Sequence, residues 1–418
     1  MSITCGIMLN MPELKNDIRL LGGAKGLSNA IRWTHVLESA DAIQFLVGNE
    51  LTFLTGIMFE EDTDQLVSVI EQLASKQVAG LVINTGKFIS KVPPKAIERA
   101  NELNLPLFEL PWAIRLVDVT KWICTAIVEN DMEESSMSYL LEKILLSEEN
   151  HYEDYLYSAE FYGYDLSKPM RIVNIEFVNL QAYADEQRHT NFINCQHQIR
   201  YLIGNILEQR SQKSLSMWKN NHFVLAVPVD VAHELEQAEA IAIAIQKGIE
   251  SKMDSLTFYI GLGGYYEQIG QLKKSYTEAQ LALKLAKDNA QKPYMLYRNA
   301  GIYKFLNKVT DKTVMAEFYT ETLGVLLHYD AENNTKFTET LQVYLEEGEN
   351  TTNTIQRLYI HRNTLQYRLR RIEEVLQQSL KNTEVKISLQ IAFKIQKFLL
   401  YEGLPVEREG DPTQNGPH

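Results

Sequence analysis

RLYIHRNTLQYRLRR, residues 357–371, carries five arginines and no acidic residue in a chain of 418 residues whose formal net charge is −13. At 100° per residue, this stretch and the residues after it predict an amphipathic helix. Its apolar positions share one face: Leu365, Leu369, Ile372 and Leu376. The opposite face holds side chains that can meet phosphates and base edges: Asn363, Tyr367 and Arg370, flanked by Thr364, Gln366 and Arg371. We interpret this helix as one that enters the major groove of DNA.

The residues before the basic helix predict two shorter helices. Residues 338–347 have apolar positions at helical spacing, and Gly348 is placed to end that helix. A second short helix follows, with Asn350 or one of the two threonines after it as N-cap. A tight turn at residues 359–360 then leads into the basic helix. A short helix, a turn and a longer basic helix are typical of a helix-turn-helix.

An arginine-rich amphipathic helix is more often an ordinary solvated surface than a DNA-reading element. Two features of this chain favour the DNA-reading interpretation. No acidic residue interrupts the basic stretch before Glu373, and a predicted short helix precedes it. A third reading, in which the same helices bind another protein, stays open.

The stretch HRNTLQYRLRRIEEVL, residues 361–376, resembles the signature of the PucR/CdaR family of bacterial transcriptional regulators. SLQIAFKIQKFL, residues 388–399, is similar to the closing helix of that family. Two positions depart from the pattern, since Thr354 stands where a small alanine is usual and Gln377 where a glycine is common. The resemblance implies an all-α helix-turn-helix domain, at residues 335–400, that binds double-stranded DNA.

The composition sets the limits of the remaining chain. With 45% hydrophobic residues and no apolar run near the roughly 18–20 residues that span a bilayer, we expect two to four globular domains and no membrane segment. The three cysteines are widely spaced and suit a reducing compartment. The N-terminal residues lack the pattern of an export signal. We therefore expect a cytoplasmic protein without a metal or other cofactor.

Residues 1–125 predict an α/β domain. Residues 78–84 form an apolar run typical of a buried strand, residues 93–103 a helix and residues 107–110 the next strand, so at least one strand pair is expected to be parallel. Residues 20–56 resemble the N-terminal domain of PucR regulators, including an Arg-Trp-x-His stretch that begins at Arg32. The resemblance implies that this domain senses a small-molecule metabolite.

Five residues of this domain are candidates for a ligand pocket: Arg32, Trp33, Glu38, Glu50 and Thr55. An arginine and hydroxyl groups beside an apolar cleft suit an anionic or zwitterionic metabolite. The alternative is structural, with Arg32 and Glu38 forming an internal ion pair and Trp33 in the core. The loop 85–87, Thr-Gly-Lys, is a weaker candidate because it follows a predicted strand.

Residues 118–150 predict a continuous helix whose middle contains a polar break at residues 131–136. We assign residues 126–151 as a helical connector. Its apolar stripe suits either a dimer-forming helix or an ordinary domain-packing helix, and both readings stay open.

Residues 152–298 predict a second α/β domain, with strands at residues 171–178, 223–228 and 257–262 and helices between them. Parts of this region resemble the GGDEF-like middle domain of the same family. Nucleotide cyclases with this fold hold metal ions on a carboxylate-bearing hairpin, whereas residues 217–228, MWKNNHFVLAVP, contain no carboxylate. We expect a degenerate, non-catalytic domain, and Gly261–Gly264 as a strand-end turn. A nucleotide-binding or cyclase-like signalling enzyme is the alternative.

The sequence thus predicts an α/β and α+β multidomain protein, completed by linking helices at residues 299–334 and a disordered tail at residues 401–418. The expected function is that of a ligand-responsive DNA-binding regulator, an activator of a catabolic operon for purine or amino-acid use, and not an enzyme. We expect a homodimer or higher homo-oligomer, because one helix makes too few base contacts. The predicted DNA contacts are Arg362, Asn363, Thr364, Gln366, Tyr367, Arg370 and Arg371.

Overall fold

The computed structural model describes residues 3–57, 63–147, 152–186, 192–209, 213–289 and 291–404. The chain forms two compact units, Met1–Tyr297 and Arg298–His418, which we describe separately. Most of the predicted disordered tail, residues 405–418, lies outside the described residues, as do residues 148–151 at the end of the predicted connector.

The first domain of the N-terminal unit is a five-stranded sheet with helices on both faces. Its strands are β1 (Arg19–Gly22), β2 (Trp33–Leu37), β3 (Glu50–Leu54), β4 (Gly80–Thr85) and β5 (Leu107–Pro111). The strand order is β1-β5-β4-β3-β2, in which β2 to β5 run parallel and β1 is antiparallel to β5. Its helices are α1 (Cys5–Leu9), α2 (Thr63–Ser75) and α3 (Pro94–Glu102). The predicted α/β fold and parallel pairing are confirmed.

The continuous apolar runs of β3 and β4 follow from burial on both faces. Every residue of these two strands is buried. Helices α2 and α3 cover one face, where Leu73 and Ala96 pack against Leu81 and Ile83. Parallel strands covered on both sides leave no place for the polar alternation of a half-exposed strand.

A single helix of 31 residues, α4 (Leu116–Leu146), connects the first domain to the second. At about 1.5 Å per residue it is about 45 Å long. Val119 and Ile123, near its start, belong to the core of the first domain, whereas Leu141 and Ile144, near its end, belong to the core of the second. The predicted stripe therefore packs within the chain, as in the domain-packing reading.

The second domain is also a five-stranded sheet between helices. Its strands are β6 (Met170–Phe177), β7 (Leu215–Lys219), β8 (His222–Pro228), β9 (Phe258–Tyr266) and β10 (Tyr294–Leu296), in the order β10-β9-β6-β8-β7. Its helices are α5 (Tyr152–Phe161), α6 (Leu180–Glu186), α7 (Phe192–Glu208), α8 (Glu234–Lys252) and α9 (Leu272–Lys287). The three predicted strands are β6, β8 and β9, whereas β7 and β10 were not predicted.

The prediction of a strand-end turn at Gly261–Gly264 is wrong. Strand β9 continues through these glycines to Tyr266. A Cβ atom on Gly261 would lie 2.1 Å from the carbonyl oxygen of Ala279, and one on Gly263 would lie 2.1 Å from that of Ser275. The glycines therefore allow helix α9 to approach the strand backbone closely.

The C-terminal unit is all-helical. Its helices are α10 (Tyr303–Lys308), α11 (Lys312–Asn333), α12 (Phe337–Glu346), α13 (Thr351–Leu358), α14 (Arg362–Leu376) and α15 (Thr383–Tyr401). Helix α11 packs against α12, α14 and α15, so part of the predicted linking segment is integral to this unit. The core includes residues of α12, α14 and α15: Leu341, Leu365, Ile372, Leu389 and Phe398.

Candidate nucleic-acid interface

Helices α13 and α14 form the predicted helix-turn-helix, and side chains cap both of them. The Asn350 side-chain oxygen accepts hydrogen bonds from the backbone N–H groups of Thr352 and Asn353, at 2.9 and 3.1 Å. The backbone N–H of Asn363 donates to Nδ1 of His361 at 3.3 Å, at the start of α14. These caps fix where each helix begins.

The turn between the two helices depends on one left-handed residue. Tyr359 ends α13 with φ +51°, and its side chain is 95% exposed. The sequence pattern predicts a turn at this residue but gives no sign that the tyrosine is exposed beside the basic helix. A tyrosine followed by isoleucine gives no strong signal for a left-handed position, which glycine and asparagine favour.

The burial of α14 matches the sequence pattern. Leu365 and Ile372 are fully buried, and Leu369 and Leu376 are half-buried. Five predicted DNA contacts are exposed: Arg362, Asn363, Gln366, Tyr367 and Arg370. Thr364 and Arg371 are half-buried. The helix thus presents a continuous polar surface opposite its packed face.

Three arginines of the basic stretch lie within 3.0 Å of a polar group of their own domain. Arg357 pairs with Glu346 and Glu347 at the end of α12, at 2.7 and 2.9 Å. Nη1 of Arg368 donates a hydrogen bond of 2.9 Å to the hydroxyl of the buried Thr340. Arg371, the third, pairs with Glu374 and with a tyrosine of α11. Part of the positive charge in residues 357–371 is therefore paired within the domain.

The two departures from the family pattern are accommodated differently. Thr354 is fully buried, and its hydroxyl donates a hydrogen bond of 2.8 Å to the carbonyl oxygen of Asn350. Because that hydroxyl is satisfied, the position tolerates threonine. Gln377 ends α14 with φ +51°, a left-handed conformation that glycine adopts at lower cost.

The structure does not bring the five predicted ligand residues around one cleft. In the parallel pairing of β2 with β3, Trp33 lies opposite Glu50 and Leu37 opposite Leu54. Arg32, Trp33 and Glu50 therefore lie at the amino ends of these strands. Two of the set, Glu38 and Thr55, follow the carboxyl ends at the other edge of the sheet.

The surroundings of these residues also exclude the alternative in which Arg32 pairs with Glu38 and Trp33 lies in the core. Trp33 is 58% exposed and is not a core residue. The acidic group that lies 4.0 Å from Arg32 is Asp131, and not Glu38, which is exposed. Glu50 is buried and accepts hydrogen bonds from the backbone N–H groups of Val47 and Gly48, at 2.8 and 2.9 Å.

The other candidate loop, residues 85–87, is engaged in internal contacts. The Lys87 ammonium lies 5.0 Å and 4.9 Å from the ring centroids of Phe88 and Trp112. The Thr85 hydroxyl donates to the Glu109 carboxylate at 3.0 Å. Cation–π contacts of this kind stabilise the loop and occupy its cation.

Within the described ranges, every helix is too short or too polar to cross a lipid bilayer.

Three family models match this chain. A model described as the purine catabolism regulatory protein-like family matches residues 7–127, a GGDEF-like domain matches residues 148–285 and the PucR C-terminal helix-turn-helix domain matches residues 337–395. The last match contains α12, α13 and α14 and most of α15.

Three regulators from Bacillus subtilis (strain 168) are similar in sequence. The DNA-binding transcriptional activator AdeR is 28% identical over 42% of this chain and 42% of its own length. The proline-responsive transcriptional activator PutR is 32% identical over 33% of this chain and 34% of its own length. The purine catabolism regulatory protein is 20% identical over 94% of this chain and 99% of its own length. The alignments thus span less than half of each of the two activators and nearly all of the third protein. Together with the three domain matches in their order, they show that the chain belongs to the PucR/CdaR family of transcriptional regulators.

Proposed function

We propose that this protein binds duplex DNA in a sequence-specific manner through the exposed face of α14. The observation that carries the proposal is the division of this helix into a buried apolar face and an exposed polar face. Arg362 and Arg370 supply guanidinium groups for guanines or phosphates, and Asn363 and Gln366 supply amides for adenines or phosphates. Tyr367 is 61% exposed and reaches a thymine methyl group or a phosphate.

Two of the predicted contacts have a smaller role in this proposal. Thr364 is half-buried, so its hydroxyl reaches only a phosphate at the edge of the interface. The Arg371 guanidinium is occupied by contacts within its own domain. We assign Arg371 to the positioning of α14, and a phosphate contact is secondary.

A homodimer is the expected assembly, and α4 offers a surface for it. Val117, Val128, Met132, Tyr139 and Leu146 are exposed on this helix. At 100° per residue all five fall within an arc of about 60°, opposite the stripe that packs within the chain. A second copy of the chain is the occupant that fits, because paired half-sites on DNA call for a twofold arrangement of two recognition helices.

This assembly is tested by measuring the molecular mass in solution. Met132→Glu places a charge in the centre of the exposed stripe and is expected to convert dimers to monomers in analytical ultracentrifugation. Leu235→Glu, at a residue of α8 that is 50% exposed, is the matched control and should leave the mass unchanged. A dimer that persists in the Met132→Glu protein would remove α4 from the interface.

The biological role we infer is activation of a catabolic operon in response to a metabolite. AdeR and PutR are named as activators, PutR as responsive to proline, and the third relative as a regulator of purine catabolism. Purine or amino-acid use is therefore the proposed pathway class. In this scheme residues 1–125 sense the effector, and residues 126–151 connect them to the GGDEF-like domain at residues 152–298. Residues 335–400 read DNA in the cytoplasm.

We propose that the middle domain is not an enzyme. The β7–β8 hairpin turns at Asn220 and Asn221, and residues 215–228 include no carboxylate. A cyclase would need carboxylates there to hold metal ions. Incubation of the full chain with GTP and Mg²⁺ is expected to give no turnover, and formation of a cyclic product would overturn this part of the proposal.

DNA binding is tested by selecting duplexes from a random library with the full chain. A motif with two half-sites should be enriched, spaced by one helical turn or a multiple of it. The logarithm of the binding constant should fall with the logarithm of the salt concentration by about 0.9 per phosphate neutralised. Binding that is insensitive to salt, with no motif enriched, would contradict the proposal and favour a protein partner for the same helices.

A further inference from the structure

A cleft of about 560 Å³ lies between the first and second domains of the N-terminal unit. None of the described residues that line it is an aspartate or a glutamate. Two cationic side chains, Arg32 and Lys252, line it instead, together with several amides and hydroxyls. This volume suits a small metabolite, and the lining suits an anionic one.

The first domain contributes the amino ends of three neighbouring parallel strands. Arg32 precedes β2, Asn49 precedes β3 and Gln77 lies shortly before β4. The backbone N–H of Arg32 donates to the carbonyl oxygen of Asn49, and that of Asn49 donates to the carbonyl oxygen of Gln77, both at 2.9 Å. Asn49 and Gln77 are left-handed, with φ +66° and +55°. Non-glycine residues adopt this conformation at a cost, so the loops that form this wall are firmly specified.

The second domain contributes one face of α7 and the end of α8. His197, Tyr201 and Asn205 lie four residues apart along α7 and share one side of that helix. Lys252 is the last residue of α8 and is exposed. Each wall of the cleft therefore carries one cationic side chain.

The charge of Arg32 is only loosely compensated within the protein. Its side chain is 21% exposed, and the nearest oxygen of Asp131 is 4.0 Å away, beyond hydrogen-bond distance. The pKa of Arg32 is lowered, mainly by burial; Arg200 acts in the same direction, whereas the carboxylates of Asp131 and Glu134 act against it. A guanidinium in this position gains from a ligand that brings its own negative charge.

His197 adds hydrogen-bonding groups to the cleft without adding charge. Burial first, and then the nearby charges of Arg32 and Arg200, lower the pKa of His197 to about 4. The imidazole is therefore neutral at physiological pH and offers one donor and one acceptor to a polar ligand. The two cations of the cleft thus favour an anionic ligand, while His197 and the amides offer hydrogen bonds to it.

We propose that this cleft binds a small carboxylate-bearing metabolite, with the carboxylate paired to Arg32 and a second polar or anionic group near Lys252. Arginine pairs with carboxylates through two parallel hydrogen bonds, which fixes the orientation of the ligand. Because the two walls belong to different domains, the bound ligand stabilises one arrangement of the first domain relative to the second. Binding itself requires no DNA. That the ligand is the regulatory effector rests on the proposed function.

The test is thermal unfolding of the full chain in the presence of L-proline, succinate or citrate at matched ionic strength. At least one carboxylate should raise the unfolding midpoint by several degrees, whereas succinamide, the uncharged counterpart of succinate, should not. Inorganic phosphate is included to distinguish a carboxylate site from a general anion site. A shift with phosphate that equals the carboxylate shift would overturn the assignment to carboxylates.

Variants locate the site. Arg32→Gln and Lys252→Gln should each raise the dissociation constant of the carboxylate by about tenfold, which corresponds to about 1.4 kcal/mol of binding free energy. Arg115→Gln is the matched control, since Arg115 is 75% exposed and pairs only loosely with Asp118 at 3.5 Å. If the Arg32→Gln protein fails to fold, Lys252→Gln alone decides whether the cleft is the binding site, because the Lys252 side chain is exposed.

Two further outcomes would overturn the proposal: no carboxylate in the panel shifts the midpoint, or both glutamine variants bind as the parent does. The failure of DNA binding is a separate result. A ligand shift in a protein that binds no duplex would leave the site in place and remove only its regulatory role.

Discussion

The guanidinium of Arg371 donates a hydrogen bond of 3.0 Å to the hydroxyl of Tyr329, joining helix α14 to helix α11. The same guanidinium pairs with Glu374, and the contacts with Tyr329 and Glu374 raise the pKa of Arg371. Its neighbour Arg370 is 83% exposed and has Glu374 at 3.3 Å. Two adjacent arginines, both predicted to contact DNA, therefore have different surroundings.

We expect Arg370→Ala and Arg371→Ala to differ in kind. Arg370→Ala should weaken binding to a selected duplex by about 1–3 kcal/mol if the contact is to a base. Arg371→Ala should mainly accelerate hydrogen exchange of the α14 backbone severalfold, because it releases that helix from α11. Tyr329→Phe removes only the hydroxyl and should have the same effect as Arg371→Ala.

The controls for this pair are direct. Arg298→Ala changes an exposed arginine of the same unit that we do not place at the interface, and it should leave both readouts unchanged. Equal loss of affinity on selected and random duplexes would show that Arg370 contacts only phosphates. An α14 exchange rate that is unchanged in Tyr329→Phe would show that the link to α11 does not position the helix.

Arg357 is expected to stabilise the domain and not to read DNA. Its two ion pairs, to Glu346 and Glu347, hold the end of α13 to the end of α12. Its side chain is 49% exposed, so the pairs are screened by solvent. Arg357→Ala should lower the free energy of unfolding of the C-terminal unit by about 1 kcal/mol or less, with a smaller effect in 1 M salt.

Gln356→Ala, at an exposed neighbour on α13, is the control for Arg357 and should be close to neutral. Denaturant unfolding followed at both salt concentrations gives the comparison. A change that is the same at low and high salt would contradict an electrostatic origin.

Gln377→Gly is expected to stabilise the C-terminal unit. Gln377 has φ +51° and ψ 30° and is exposed, so no side-chain packing is lost. Removal of the Cβ relieves the left-handed conformation, and the gain should be about 1 kcal/mol. The measurement is the unfolding midpoint of the full chain in denaturant.

The matched control is Gln378→Gly at the next position, which is exposed and has no positive φ. Glycine there only increases the freedom of the unfolded chain and should destabilise slightly. If both variants have the same effect, the left-handed cap does not carry the strain that we assign to it.

The stability of the N-terminal unit should depend on pH through His197. An unfolded histidine takes up a proton near pH 6.5, whereas burial holds the pKa of His197 in the folded protein at about 4. Between these values the unfolded state binds the additional proton, so stability falls as the pH drops from about 6.5 to about 4. His197→Gln should flatten this part of the profile, measured by denaturant unfolding across the range.

His233 provides a contrast of opposite sign. Its hydrogen bond with Asp230 raises its pKa, so its contribution is present below pH 6.5 and is lost as the pH rises through the raised value. His233→Gln should therefore leave the loss of stability at acid pH in place. A profile that His197→Gln does not change would show that the His197 imidazole is solvated.

The local features of the C-terminal helices could be read from residue patterns alone. Helical spacing predicted the buried positions of α14, and Gly348 and Asn350 marked where α12 ends and α13 begins. These signals are local, since caps and amphipathic faces involve residues within a few positions of each other. Strands β7 and β10 gave weaker signals, because β7 is short with mixed polarity and β10 has only three residues.

The candidate ligand residues could be predicted only in part from the sequence. Arg32 was chosen as an anion-binding residue from its type, and the structure places it in a cleft. Its partners Asn49, His197 and Lys252 could not be found from the sequence, because they come together only when α7 and α8 of the second domain face the strand ends of the first. Glu38 and Thr55 belong to the same short stretch of the chain as Arg32. They lie at the opposite ends of the parallel strands, however, so the length of a strand separates them from Arg32.

The amino-acid order by itself determined the helical periods, the caps, the apolar runs of the buried strands and the basic surface of α14, since each depends on near neighbours in the chain. Tertiary structure alone decided which arginines of residues 357–371 are paired within the domain, because Arg357, Arg368 and Arg371 contact residues of α12 and α11 that lie 11, 28 and 42 positions away. It also decided that the charges of Arg32 and Lys252 share one cleft. Long-range pairing of charged and polar groups depends on how whole elements pack, and spacing along the chain does not encode it.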